Sequence, residues 1–164
     1  MSDRWILVDG YSVLHTWPVF LTRKARSRSL AAKREVLIGL LRQYADHTGH
    51  RVTVVFDGYA AKHKPEVNEP TPGIEVVYSE SGRTADDVIE RFVGQAEHRS
   101  QILVITSDNL ERDTVESLGA QSISTELFAA EAEVASQELA QLVSAHTRRS
   151  RFTPSPGRSG PNSK

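Results

Sequence analysis

Apolar and β-branched residues fall in short unbroken runs, separated by longer stretches where apolar residues recur at helical spacing. Ile6-Leu7-Val8, Val52-Thr53-Val54-Val55-Phe56 and Ile102-Leu103-Val104-Ile105 show no alternation. Strands buried on both faces of a parallel sheet read this way. Five strands are predicted: Arg4–Val8, Arg51–Phe56, Ile74–Tyr78, Ile102–Thr106 and Gln121–Ile123. Between them, Leu30, Leu37, Leu41 and Tyr44 make one stripe of a helix over Leu30–His47. Val88, Ile89, Phe92 and Val93 make another, on a helix capped by Thr84 and ending near Ala96. A short helix is predicted over Asn109–Leu118 with Gly119 as its C-cap, and a last one from Ser124 or Thr125 to about Ala145. Residues 10–29 read as a connection with a helical turn around Ser12–His15, and Gly58–Gly73 as a Pro- and charge-rich loop. Strands alternating with helices predict an α/β sandwich around a mostly parallel five-stranded sheet.

Three of the strands end in aspartate. Asp9 closes the first, Asp57 the second, and Asp108 follows the fourth. In open parallel sheets the chemistry gathers at the carboxyl ends of the strands. Thr84-Ala85-Asp86-Asp87 adds two more carboxylates at a helix start. Each acid alone has a bland reading: Asp-Gly is a common turn, and Asp caps helices. Gathered on one edge they repel, and an oxygen-only cluster suits a hard cation such as Mg²⁺ or Mn²⁺.

Composition narrows the alternatives. The chain has 164 residues, no cysteine and a formal net charge of −1, enough for one domain with a core. Thiolate chemistry and disulfides are excluded. No apolar run reaches membrane-spanning length, and the N-terminus leads straight into a strand, so a cytoplasmic protein without membrane attachment is expected. Neither glycine signature of nucleotide binders occurs, so no nucleotide cofactor is expected. Charge is unevenly placed. Residues 148–164 hold Arg148, Arg149, Arg151, Arg158 and Lys164 and no acid. All 21 acidic residues and the other 15 basic ones precede them. Pro, Gly and Ser accompany these arginines, so a folded body over 1–147 and a disordered basic tail over 148–164 are expected. Such a tail fits a polyanionic partner or a solubilising end alike.

Taken together, Val8-Asp9-Gly10-Tyr11-Ser12-Val13, Val55-Phe56-Asp57-Gly58, Thr84-Ala85-Asp86-Asp87-Val88-Ile89-Glu90 and Thr106-Ser107-Asp108-Asn109 resemble, in order and spacing, the YacP-like NYN domains of the PIN-like nuclease superfamily. The resemblance spans residues 4–145. It implies a PIN-like three-layer sandwich and a metal-dependent endoribonuclease that cleaves RNA, above all mRNA, in association with the ribosome. It implies Asp9, Asp86, Asp87 and Asp108 as the catalytic, metal-binding acids, with Asp57 as a supporting acid at the metal. The family usually reads Asp-Gly-Tyr-Asn after the first strand, where this chain has Ser12. A hydroxyl is smaller than an amide and offers fewer donors. Related chains often carry Arg at the place of Thr125.

Water activated by a divalent ion needs no protein nucleophile. A 2′-hydroxyl mechanism would call for a His pair, for which His15 and His63 are the candidates. RNA contacts are expected from the basic stretch Arg23, Lys24, Arg26, Arg28, Lys33 and Arg34, and from Lys62, His63 and Lys64. The first stretch reads equally as a solvated helix entry. Tyr11 and Tyr59 suit base stacking or packing, and Trp17 suits the core. Ser12 and Asn109 join the expected RNA-facing set. Two other readings stand beside the nuclease. One is a non-catalytic or weakly catalytic RNA- or ribosome-binding PIN-like module, which Ser12 keeps open. The other is a receiver- or phosphatase-like domain using Asp57, which lacks the acid pair after the first strand and a late Lys.

Overall fold

The computed structural model describes residues 4–58, 69–71 and 73–151. The sheet has six strands: β1 (Trp5–Asp9), β2 (Arg51–Phe56), β3 (Glu69–Thr71), β4 (Ile74–Tyr78), β5 (Ile102–Ile105) and β6 (Gln121–Ile123). Their spatial order is β3-β4-β2-β1-β5-β6. Five strands are parallel, as the unbroken apolar runs require. The sixth, β3, pairs antiparallel with β4 at the edge. It lies in the stretch expected to be a loop. Three residues including a proline carry no strand pattern of their own, and pairing with the open edge of β4 defines them.

The helices are α1 (Gly10–Thr16), α2 (Pro18–Leu21), α3 (Arg23–Arg26), α4 (Leu30–Thr48), α5 (Ala85–Gln95), α6 (Asn109–Ser117) and α7 (Thr125–Arg151), with a 3₁₀ turn at Arg99–Gln101. The connection after β1 is thus three short helices rather than a single turn. Pro18 opens α2, and the Thr22 hydroxyl caps α3 by accepting from the Ala25 amide. The last helix runs past Ala145 to Arg151, so the start of the expected tail is helical. Residues 152–164 lie outside the described residues.

Alternate side chains of each strand feed two cores. Ile6, Val8, Val54 and Phe56 pack with Leu37 and Leu41 of α4, Trp17, and Phe128 of α7. Leu7, Val55, Val77 and Val104 pack with Val88, Ile89 and Val93 of α5 and Val115 of α6. The result is the three-layer α/β sandwich expected from the sequence. β1 lies at its centre, and the strand order reverses beside it, between β1 and β5. Open sheets bind ligands at such a switch point.

Candidate metal centre

Asp9 is the last residue of β1 and is 7% exposed. Gly10 follows it because a Cβ there would stand 2.2 Å from the Phe56 ring. Ser12 faces back onto the acid. Its hydroxyl donates to Asp9 Oδ2 at 2.8 Å, and its amide donates to Oδ1 at 3.4 Å. The Ser107 hydroxyl donates to Ser12 Oγ at 3.0 Å, and Thr106 Oγ1 lies 3.4 Å from Asp9 Oδ2. Burial lifts the Asp9 carboxyl above the ordinary range against the pull of Ser12, and the nearby charges of Asp86 and Asp57 add to the rise.

Asp86 enters from the first turn of α5. The end of that helix is fixed twice. Thr84 and Asp87 form a reciprocal capping box. Asp57 Oδ1 accepts from the Ala85 amide at 2.7 Å, which ties α5 to the carboxyl end of β2. Gly58 permits this turn, since a Cβ would meet the Ser79 carbonyl oxygen at 1.9 Å. The Asp86 carboxyl is also raised, first by burial, with Asp108, Asp57 and Glu90 adding to it.

The third carboxylate is Glu111 of α6, 2% exposed. Asp9, Asp86 and Glu111 each offer an oxygen, and these atoms lie within 4.8 Å of one another. Neither Glu111 oxygen makes a well-formed hydrogen bond among the described residues, with the Thr106 hydroxyl and the Asp86 carboxyl as its polar neighbours. Burial pushes its carboxyl up to about 9 against the pull of the Thr106 hydroxyl, and Asp9 and Asp86 add to the rise. Three acids from three elements, one of them fully buried, are a costly arrangement unless a proton or a cation neutralises them. Oxygen ligands alone suit Mg²⁺ or Mn²⁺, so these residues fit the ion.

The other expected acids are placed differently. Asp108 is exposed and caps α6, accepting from Leu110 N at 2.8 Å and Glu111 N at 3.4 Å. Asp87 is exposed in its capping box, and the Thr84 amide and hydroxyl hold its carboxyl below the ordinary range. Asp57 is the anchor of α5. Glu111 went unnamed in the sequence reading. Its signal was an acid at the i position of the stripe Glu111, Val115, Leu118, where an apolar residue belongs.

Of the RNA-facing set, Arg23, Lys24, Arg26 and Arg28 are exposed, as is Asn109 at the first position of α6. Tyr11 and Ser12 are half-buried. Lys62, His63, Lys64 and Tyr59 lie outside the described residues. Trp17 is core, packed on Phe20 and Phe128. His15 is exposed and stacks on Tyr11 with ring centroids 6.3 Å apart. Thr125 is fully buried, accepting from Thr16 Oγ1 at 2.7 Å, while its carbonyl accepts from Trp17 Nε1 at 2.8 Å. It is a packing point between α1 and α7.

The model of the YacP-like NYN domain family matches residues 6–155. The uncharacterized protein YacP of Bacillus subtilis (strain 168) is 36% identical over 116 residues, covering 70% of this chain and 66% of that protein, just under two thirds. The crystal structure of Rae1 (YacP) from Bacillus subtilis superposes with a TM-score of 0.73 at 30% identity, covering 89% of this chain and 83% of that one. The crystal structure of a point mutant of the same Rae1 (YacP) gives the same TM-score of 0.73 at 29% identity, covering 88% of this chain and 84% of that one.

Proposed function

Because the chain belongs to the YacP-like NYN domain family, within the PIN-like nucleases, we propose that it is a divalent-metal-dependent endoribonuclease. Its substrate is RNA, with mRNA at the ribosome as the setting and the cytoplasm as the place. No helix among the described residues is long and apolar enough to cross a membrane. The observation that carries the reading is the meeting of Asp9, Asp86 and Glu111 within 4.8 Å, with Glu111 fully buried.

In this reading Asp9, Asp86 and Glu111 are the ligands, and Asp108 and Asp57 complete the acidic rim. A bound Mg²⁺ or Mn²⁺ would lower the pKa of a water and offset charge on the scissile phosphate. The Ser12 hydroxyl holds the Asp9 carboxylate in one orientation. Asp57 and the Thr84–Asp87 box fix the helix end that carries Asp86. The exposed run Arg23, Lys24, Arg26 and Arg28 draws the RNA backbone toward the acidic edge. Attack by water on phosphorus breaks the bond to the 3′-oxygen and leaves a 3′-hydroxyl and a 5′-phosphate. His15 is exposed and stacked on Tyr11 rather than placed among the acids, and the acid cluster suits water as the attacking group.

The test is cleavage of single-stranded RNA with Mg²⁺, with Mn²⁺ and with chelator. Wild-type protein is expected to cut only with metal and to leave 5′-phosphates. Asp9→Asn is expected to lose about 10²-fold or more in rate while keeping its fold, since ligand charge on the ion accounts for several kcal/mol of the barrier. Wild-type rates in Asp9→Asn, or cutting in chelator, would overturn the proposal.

A further inference from the structure

The acids are not the only preorganised charge at the carboxyl edge of the sheet. Arg34, in the second turn of α4, is half-buried. Its Nη1 donates to Tyr11 Oη at 3.3 Å, and its guanidinium lies 5.7 Å from the centre of the Tyr78 ring. The two tyrosines are joined through Phe56. Tyr11 meets Phe56 edge-on at 5.6 Å, and Phe56 stacks with Tyr78 at 5.7 Å. This aromatic row runs along the ends of β1, β2 and β4. Phe56 directly precedes Asp57, and Tyr11 directly precedes Ser12, the partner of Asp9.

A half-buried guanidinium ordinarily forms an ion pair with an acid. Arg34 makes no salt bridge with any acid among the described residues. The Tyr11 hydroxyl uses one of its five N–H donors, and the Tyr78 ring orients the plane. The planar fork then keeps donors for an anion, in the geometry that suits a phosphate. Among the described residues the exposed Arg23, Lys24, Arg26 and Arg28 have no such anchoring, so they attract without fixing a position.

We infer that Arg34, held by Tyr11 and Tyr78, is a phosphate-binding subsite that grips one phosphodiester of the RNA strand at the sheet edge that also carries the acids. This rests on the proposed nuclease reading for the identity of the anion, while the site itself is tested apart from cleavage. Tyr11 is its positioning residue, acting through its hydroxyl.

Two measurements test it. One is the steady-state cleavage of single-stranded RNA by wild type, Arg34→Gln, Arg34→Lys and Tyr11→Phe. The other is binding of a labelled single-stranded RNA to the non-cleaving Asp9→Asn protein, with and without Arg34→Gln. Arg34→Gln is expected to raise KM and the binding Kd about tenfold or more, with the effect on KM rather than kcat. The slope of log affinity against log salt should fall by about 0.7, the contribution of one phosphate on a single strand. Arg34→Lys should recover little of the loss, because an ammonium keeps the charge but not the fork. Tyr11→Phe should raise KM by less than Arg34→Gln. The melting-temperature rise on adding Mn²⁺ should be the same in Arg34→Gln, Arg34→Lys and Tyr11→Phe as in wild type. Unchanged KM and Kd in Arg34→Gln would overturn the subsite and leave the nuclease reading standing. Loss of binding in Arg34→Gln from a protein that never cleaves would sustain the subsite and overturn the nuclease reading. No RNA binding or cleavage by any form would overturn both.

Discussion

Asp108 and Glu111 stand one turn apart at the start of α6, and their carboxylates serve opposite ends. Asp108 is exposed and accepts the Glu111 amide at 3.4 Å as part of the helix cap. Glu111 is buried against Asp9 and Asp86. One residue fixes the helix start, and that start delivers the other to the centre.

Glu111 makes the metal-free protein sensitive to pH. Its folded carboxyl sits at about 9, above the ordinary value of 4.5, so between these limits the folded state holds a proton that the unfolded chain releases. Stability is full below the lower limit and is lost as pH rises toward the upper one, with a slope of at most about 1.4 kcal/mol per pH unit for one proton. In chelator, the melting temperature is expected to fall between about pH 5 and pH 9, and Glu111→Gln should flatten that fall. The same variant should abolish the stabilisation by Mn²⁺ seen near pH 8 in wild type. A melting curve in Glu111→Gln that still moves with Mn²⁺ would remove Glu111 from the ligand set.

Asp87 is expected to separate from its neighbour Asp86. Its carboxylate is bonded to the Thr84 amide at 2.9 Å and lies in solvent. Asp87→Asn should lower the melting temperature slightly, keep the Mn²⁺ shift and keep most of the cleavage rate. Asp86→Asn should lose both. Calorimetric titration with Mn²⁺ on the two variants distinguishes them, and equal losses would mean that Asp87 also reaches the ion.

Ser12 stands where the family usually has Asn. Ser12→Asn is expected to fold normally, because the site around Asp9, Thr106 and Ser107 is polar throughout. The amide can donate to Asp9 as the hydroxyl does, so metal-dependent cleavage should stay level or rise. A rate well below wild type would show that the hydroxyl ladder is matched to serine.

Gly58→Ala tests the anchor of α5. The added Cβ would meet the Ser79 carbonyl oxygen at 1.9 Å, and backbone must move to relieve it. A loss of about 1–3 kcal/mol in chemical denaturation is expected. Mn²⁺ affinity should fall with it, since Asp57 and through it Asp86 are displaced. Stability lost with unchanged metal affinity would mean that Asp57 is not what positions Asp86.

The sheet was legible because both faces of each parallel strand are buried, so apolar runs without alternation mark it directly. The edge strand β3 was not, because Glu69–Thr71 owes its conformation to β4 alone. In the site, Asp9 and Asp86 could be placed by strand end and helix start. Local pattern could not separate acids that meet at the centre from acids that cap a helix: Asp57, Asp87 and Asp108 all have the sequence context of either. Glu111 was hidden for the converse reason. It occupies a buried stripe position of α6, and only the packing of α6 against β1 and α5 reveals an acid there as an intended neighbour of Asp9.

The three carboxylates come from segments far apart in the chain, and none meets another until β1 has paired with β5 and α5 and α6 have packed. Their mutual repulsion is therefore a property of the finished molecule and is absent from the disordered chain and from early encounters along the folding route. A cation that relieves it acts on a contact made late. Such a contact lengthens the lifetime of the folded state without hastening its formation. The metal would then set how slowly this protein unfolds and how long it withstands proteolysis, while leaving the rate at which new chains reach the native state unchanged.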